Sequence, residues 1–111
     1  MREISDQAGL EALVAGGGKV AVLYHARWCP FCRSFKPVFA DAAGRLEGFE
    51  AVESLLDDTG NPLWTSEAIR VVPTIVFYSG GRAVGRLEAA AGIGLSAGQL
   101  ESAWNAALRR A

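Results

Sequence analysis

The only two cysteines of the chain stand in one short segment, WCPFC, which runs from Trp28 to Cys32. Two thiols at this spacing suit a structural disulfide, half of a metal site, or a reversible dithiol–disulfide couple. A disulfide that closes so short a loop would remove only about 2 kcal/mol of unfolded-state entropy. A structural zinc site needs four ligands, and His25 is the only histidine available. The spacing therefore favours redox chemistry.

The residues around the pair predict a junction between a strand and a helix. The apolar run KVAVLYHA predicts a buried, parallel strand that ends at Tyr24 or His25. A helix that begins at about Pro30 would leave Cys29 at its N-terminus, where free backbone N–H groups and the helix dipole favour a thiolate. Cys32, one helical turn further on, would lie beneath Cys29 and be less accessible, as expected of a resolving thiol.

The remaining elements follow from hydrophobic periodicity and turn residues. Ser5 or Asp6 is expected to cap a first helix that ends at the glycines 16–18. After the cysteines the predicted elements are a helix over FKPVFADAAGRLEG with Pro37 inside it, a strand in FEAVESLLDD, a short helix in NPLWTSEAI, a hairpin of VVPTIVFYSGG and RAVGRLEAA, and a closing helix in SAGQLESAWNAALRR. This order predicts a single α/β domain, residues 1–111, with a mixed sheet and helices on both faces.

Composition disfavours two classes of function. Eleven basic and twelve acidic residues give a net charge of −1, so the chain has no excess of positive charge that would attract nucleic acid or an anionic membrane. The N-terminal segment carries Glu3, Asp6 and Glu11 where a secretory signal would need an apolar core. The sequence therefore predicts a soluble, cytoplasmic protein.

Four features together resemble the thioredoxin family, and the resemblance extends from about Lys19 to the C-terminal helix. The WCPFC segment matches the family's Trp before a C-x-x-C, and Pro37 matches its helix-kinking proline. VVPT, residues 71–74, resembles the cis-proline loop, and LSAGQL, residues 95–100, resembles the start of the last helix.

The resemblance implies a thioredoxin fold and a thiol–disulfide oxidoreductase. Cys29 would attack a partner's disulfide and Cys32 would resolve the mixed disulfide, with no cofactor and no metal beyond the redox-active Cys29–Cys32 bridge. Pro73 would be cis, the backbone of Val72 would pair with a bound substrate strand, and Trp28 would form the rim of the site. Partners would be protein disulfides and a reductase or glutathione as electron donor, and the protein would act as a monomer.

The chain departs from the family pattern beside the motif. Leu23 stands where the family usually carries a buried Asp, and Ser54 stands near the place of its partner lysine, which suggests a slower or specialised reductase. Pro30 and Phe31 resemble the dipeptide of the less reducing glutaredoxins. His25 is expected to be a partly exposed polar cap at the strand end, with a role as an acid or base, four residues before Cys29, as the alternative.

Other residues near the motif receive less specific expectations. Arg27 and Arg33 are expected to be solvated charges. Either Gly92 or Gly94 would supply the glycine that lines the family's groove.

The sequence is compatible with three functions. A protein disulfide reductase fits best. The alternatives are a glutathione-linked, glutaredoxin-like oxidoreductase and a binding module that switches with its disulfide state but does not turn over. The direction of electron flow depends on the reduction potential, which sequence does not give.

Overall fold

The computed structural model describes residues 1–111, and its elements follow the predicted order. The strands are β1 (Arg2–Glu3), β2 (Lys19–His25), β3 (Glu50–Leu55), β4 (Thr74–Ser79) and β5 (Arg82–Glu88). The helices are α1 (Gln7–Val14), α2 (Pro30–Arg45), α3 (Leu63–Ser66) and α4 (Ala97–Arg110). Only β1 was not predicted, because a strand of two residues is too short to show an alternation of apolar and polar side chains.

The five strands form one mixed sheet in the order β1-β3-β2-β4-β5. β2 lies at its centre, parallel to β3 and antiparallel to β4, and β4 pairs with β5 as the predicted hairpin. A central strand covered on both faces must be apolar throughout, and every residue of β2 after Lys19 is buried. The predicted mixed sheet is confirmed.

Helices cover both faces of the sheet, as predicted. On one face Val22 and Tyr24 pack with Leu10 of α1 and Leu63 of α3. On the other face a second cluster joins the sheet to α2 and α4, and its members include Leu23, Phe35, Phe39, Phe77, Leu100 and Trp104. None of these helices combines the length and hydropathy that crossing a bilayer requires.

Polar side chains define where the helices begin. Asp6 caps α1 by accepting a hydrogen bond from the Gly9 N–H at 2.7 Å. Ser96 and Gln99 form a reciprocal capping box at the start of α4, in which each side chain bonds the other's backbone N–H. The cap sets where α4 starts and therefore how Leu100 and Trp104 meet the sheet.

We expect Ser96→Ala to lower the free energy of unfolding by about 1 kcal/mol, because the Gln99 N–H loses its acceptor. Urea denaturation measures the change. Ser102→Ala, at an exposed position inside the same helix, is the matched control and should change stability by less than about 0.5 kcal/mol. Equal effects of the two substitutions would contradict the capping role.

Candidate active site

Cys29 is the N-cap of α2, at the junction that the sequence predicted. Its extended backbone conformation turns the chain from β2 into the helix, and Pro30 is the first helical residue. The Cys29 Sγ accepts a hydrogen bond from the Cys32 N–H at 3.3 Å. Because the first N–H groups of a helix have no partner within it, a sulfur placed here receives their positive potential.

Cys32 lies deeper than Cys29, as predicted. The exposed fraction is 7% for Cys29 and 1% for Cys32, and both are free thiols. Burial, with the neighbouring Cys29 as a second cause, raises the pKa of the Cys32 thiol to about 12. At neutral pH Cys32 therefore keeps its proton, and the two thiols are chemically unequal.

The loop from Val71 to Thr74 lies against the dithiol. The Val72–Pro73 peptide bond is cis, and the Cys29 Sγ lies 3.5 Å from the Val72 carbonyl oxygen, to which it can donate. The Thr74 hydroxyl donates to the Val71 carbonyl at 2.6 Å, which stabilises the turn. The Val72 N–H, outside every helix and strand, donates to no other group of the chain. The structure thus brings the predicted Val72 and Pro73 to Cys29.

Exposed apolar side chains occur in the dithiol segment and in the loop that lies against it. Trp28, Phe31 and Ile93 have exposed fractions between 41% and 77%, and they are three of the four large hydrophobic residues that the protein exposes. Gly94 lies against Phe31, and a Cβ there would meet the Phe31 Cδ1 at 2.9 Å. Nothing lies within 4 Å of the corresponding position at Gly92, so Gly94 is the glycine beside the site.

Sequence reasoning did not select Ile93. The feature that could have identified it is an isoleucine between two glycines of the AGIGLS loop, where a large apolar side chain is not required by the hydrophobic core. A bridge between Ala90 and Gly94 closes this loop and leaves the Ile93 side chain outside.

Arg27 attaches the segment before the dithiol to the residues that follow β3, and Arg33 holds that segment from α2. Arg27 forms an ion pair of 2.6 Å with Asp57, whose carboxylate also accepts from the Arg27 backbone N–H. These bonds hold the pKa of Asp57 below its usual range. Arg33 donates to the Arg27 carbonyl, and the Trp28 indole N–H donates to the Asp57 carbonyl. Arg27 and Arg33 therefore position the loop in addition to carrying solvated charge.

The expectation that His25 is a partly exposed cap is wrong. His25 is 5% exposed, because the central strand continues to its last residue under the cover of its neighbours. Its Nε2 has no hydrogen-bond partner and lies 3.9 Å from the Glu53 Oε2. Burial, followed by the nearby Lys36 ammonium, lowers the pKa of His25, which keeps the imidazole neutral.

The register of the sheet shows which residue of β3 lies beside Leu23. In the register of β2 and β3, Leu23 pairs with Glu53 and Ser54 pairs with Tyr24. Since side chains alternate between the faces of a sheet, Ser54 points to the face opposite Leu23. The neighbour of Leu23 is thus a buried carboxylate.

We expect iodoacetamide at about pH 7 to modify Cys29 at least about tenfold faster than Cys32. A thiol with a pKa of about 12 holds only about 10⁻⁵ of its population as thiolate at that pH. Mass spectrometry of digests taken over time separates the two rates. Denatured protein, in which both thiols are solvated, is the control and should show similar rates; faster labelling of Cys32 in the folded protein would contradict the assignment.

Comparison with known proteins supports the chemistry that this geometry suggests. The Thioredoxin family model matches residues 3–98. Mouse thioredoxin is 32% identical over 87 residues, which cover 78% of this chain and 82% of that protein. Thioredoxin of Mycoplasmoides gallisepticum is 29% identical over 82 residues, covering 74% and 81%. Protein disulfide-isomerase 1 of Caenorhabditis elegans is 30% identical over 79 residues, covering 68% of this chain and 16% of that protein.

Solved structures show the same fold. Fasciola hepatica thioredoxin superposes with a TM-score of 0.82 and 24% identity over the full length of both chains. Thioredoxin F from spinach chloroplast superposes with a TM-score of 0.79 and 21% identity, covering 96% of this chain and 91% of that one. The predicted thioredoxin fold is confirmed. With a family model that spans most of its length and a dithiol at the start of α2, the chain belongs to the thioredoxin family and is a disulfide oxidoreductase.

Proposed function

We propose that this protein reduces disulfide bonds of partner proteins, with Cys29 as the nucleophile and Cys32 as the resolving thiol. The observation that carries the proposal is the unequal environment of the two sulfurs. The Cys29 Sγ lies at the N-terminus of α2 and accepts from a helix N–H, whereas the raised pKa of Cys32 keeps that thiol protonated until it is needed.

The exchange balances in sulfur atoms, electrons and protons. The Cys29 thiolate attacks one sulfur of the partner's disulfide, forms a mixed disulfide and releases a partner thiolate, which takes up a proton. Cys32 then loses its proton and attacks the Cys29 sulfur, which breaks the mixed disulfide and releases the second partner thiol. Two electrons pass to the partner, and the protein is left with a Cys29–Cys32 disulfide.

The surroundings of the dithiol suit an extended protein segment as the substrate. The free N–H of Val72 is a donor for a partner's backbone carbonyl, in the manner of strand addition. Trp28, Phe31 and Ile93 offer apolar surface to side chains next to the partner's cysteine. A segment with apolar residues beside its disulfide would gain from both contacts.

We further propose a cytoplasmic monomer that needs no cofactor. The exchange moves electrons between sulfur atoms alone, and a reductase or glutathione would return the Cys29–Cys32 disulfide to the dithiol. A compartment that keeps thiols reduced suits a chain whose two cysteines both serve this exchange.

We expect Cys29→Ser to abolish catalysed reduction of insulin, followed by turbidity, because no sulfur remains at the helix start. Cys32→Ser should leave the first attack intact and accumulate a mixed disulfide with the substrate, visible by non-reducing electrophoresis. This pair of results separates a reductase from a redox-switched binding module, which would show no Cys29-dependent turnover.

The reduction potential decides the direction of electron flow. Equilibration with glutathione buffers should give a value near about −270 mV for a reducing protein. A value of about −200 mV or higher would contradict the proposal and indicate a glutathione-linked or oxidising role.

We expect Ile93→Ser to raise the KM for insulin about three- to tenfold while leaving kcat within about twofold, because the lost contact is an exposed apolar one. The same variant should react normally with hydroxyethyl disulfide, which is too small to reach the side chain. An equal loss of kcat/KM with both substrates would show that the loop supports the structure of the site and does not bind the partner.

A further inference from the structure

A cavity of about 290 Å³ lies between α1, the end of α3 and the turn that joins β4 to β5. This volume is near the lower limit for small-molecule sites in proteins. Tyr78, in the wall of the cavity, pairs with Val20 at the start of β2, whereas Cys29 follows the end of that strand. The cavity therefore lies at the end of the sheet opposite the dithiol, and the disulfide exchange does not use it.

Three charged side chains line the cavity. Glu11 comes from α1, Glu67 follows α3, and Arg82 begins β5. None of the three takes part in an ion pair, since all the ion pairs of the protein join other residues. The cavity thus offers two carboxylates and one guanidinium that have no partner of opposite charge within the chain.

The carboxylate of Glu67 is held in place from two sides. Its Oε1 accepts a hydrogen bond from the Tyr78 hydroxyl at 2.7 Å, and that hydroxyl lies 2.8 Å from the Tyr24 hydroxyl. Arg86 donates to the backbone carbonyls of Glu67 and Ala68, at 2.7 Å and 3.1 Å. Ala68 has a φ of 53°, which alanine rarely adopts. These bonds fix the carboxylate before a ligand arrives, which lowers the entropic cost of binding.

The rest of the lining supplies a further donor and an apolar wall. The Gln7 Oε1 accepts from the Ser66 hydroxyl, so the Gln7 amide nitrogen remains free to donate. Leu10 and Val14 bring the apolar side of α1 to the cavity. The donors, Gln7 and Arg82, are therefore distinct from the two carboxylates, which only accept.

These features together select one class of ligand. The two carboxylates would repel a small anion, and a simple amine would leave the guanidinium without a partner. An uncharged apolar molecule would fit the wall of α1 but would leave all three charged groups unpaired. A molecule that carries an ammonium group, a carboxylate and a short apolar side chain satisfies every group of the lining.

We propose that this cavity is a binding site for a small zwitterion, a free α-amino acid with an apolar side chain. The ammonium group of the ligand pairs with Glu11 and Glu67. Its carboxylate accepts hydrogen bonds from Arg82 and from the Gln7 amide, and its side chain packs against the apolar wall of α1. Binding is reversible and involves no covalent step, so the site is independent of the disulfide exchange.

Titration of L-leucine into isotope-labelled, reduced protein, followed by NMR of the backbone amides, tests the proposal. The amide signals of Glu67, Gly81 and Arg82 should shift and saturate, whereas those of Cys29 and Cys32 should stay in place. Binding in the millimolar range is expected for a ligand of this size. The absence of a saturable shift, or shifts confined to the dithiol segment, would overturn the proposal.

Two analogues of leucine measure what each charge contributes. Isoamylamine lacks the carboxylate, and isocaproate lacks the ammonium group. Each should bind at least about tenfold more weakly than leucine, because hydrogen bonds between charged groups are lost. Equal binding of all three molecules would show apolar contact alone and would overturn the proposal.

Variants assign the binding to the charged lining. Glu67→Gln removes one carboxylate charge and keeps an oxygen that can accept from the Tyr78 hydroxyl, and Arg82→Gln removes the guanidinium. Each should weaken leucine binding about tenfold. Glu50→Gln changes an exposed carboxylate that pairs with Arg2 and, as the matched control, should bind leucine as the wild type does.

The arginine variant gives the decisive result. Arg82 is exposed and makes no ion pair, so its replacement keeps the fold even if Glu67→Gln does not fold. Wild-type affinity for leucine in Arg82→Gln would overturn the proposal.

Discussion

The hydrogen bond from the Cys32 N–H to the Cys29 sulfur, at the start of α2, is the constraint on which the rest of the structure depends. It requires a central strand that delivers the chain to the helix start and a helix held firmly against the sheet. Phe35 and Phe39, both buried, hold α2 in place, and the apolar β2 supplies the strand. A helix start that moved by one residue would take the sulfur out of the field of the N–H groups.

Because Cys32 is buried beneath Cys29, the two thiols of the site differ in accessibility and in their readiness to ionise. In the proposed exchange, the raised pKa of Cys32 would keep this thiol from competing with Cys29 for the first attack. On the other face of the sheet, the buried Glu53 carboxyl lies across the strands from Leu23 and 3.9 Å from the His25 Nε2.

The surface of the site comes from distant parts of the chain. Val72 lies 43 residues after Cys29 and Gly94 lies 65 after it, yet Val72 contacts the Cys29 sulfur and Gly94 lies against Phe31 of the dithiol segment. The antiparallel return of β4 beside β2 brings the Val72 loop to the helix start. The glycine beside Phe31 lets the loop before α4 approach closely. One sheet therefore positions both the dithiol and the loops that lie beside it.

The sequence by itself determined the elements whose pattern is local. The C-x-x-C at a strand-to-helix junction, the apolar run of β2 and the 3.6-residue period of α4 are confirmed, because each depends on neighbours within a few residues. Tertiary structure alone decided the register that pairs Leu23 with Glu53, the burial of His25, the short strand β1 and the exposure of Ile93. These properties depend on which distant segment lies alongside, and a one-residue change of register moves every side chain to the other face.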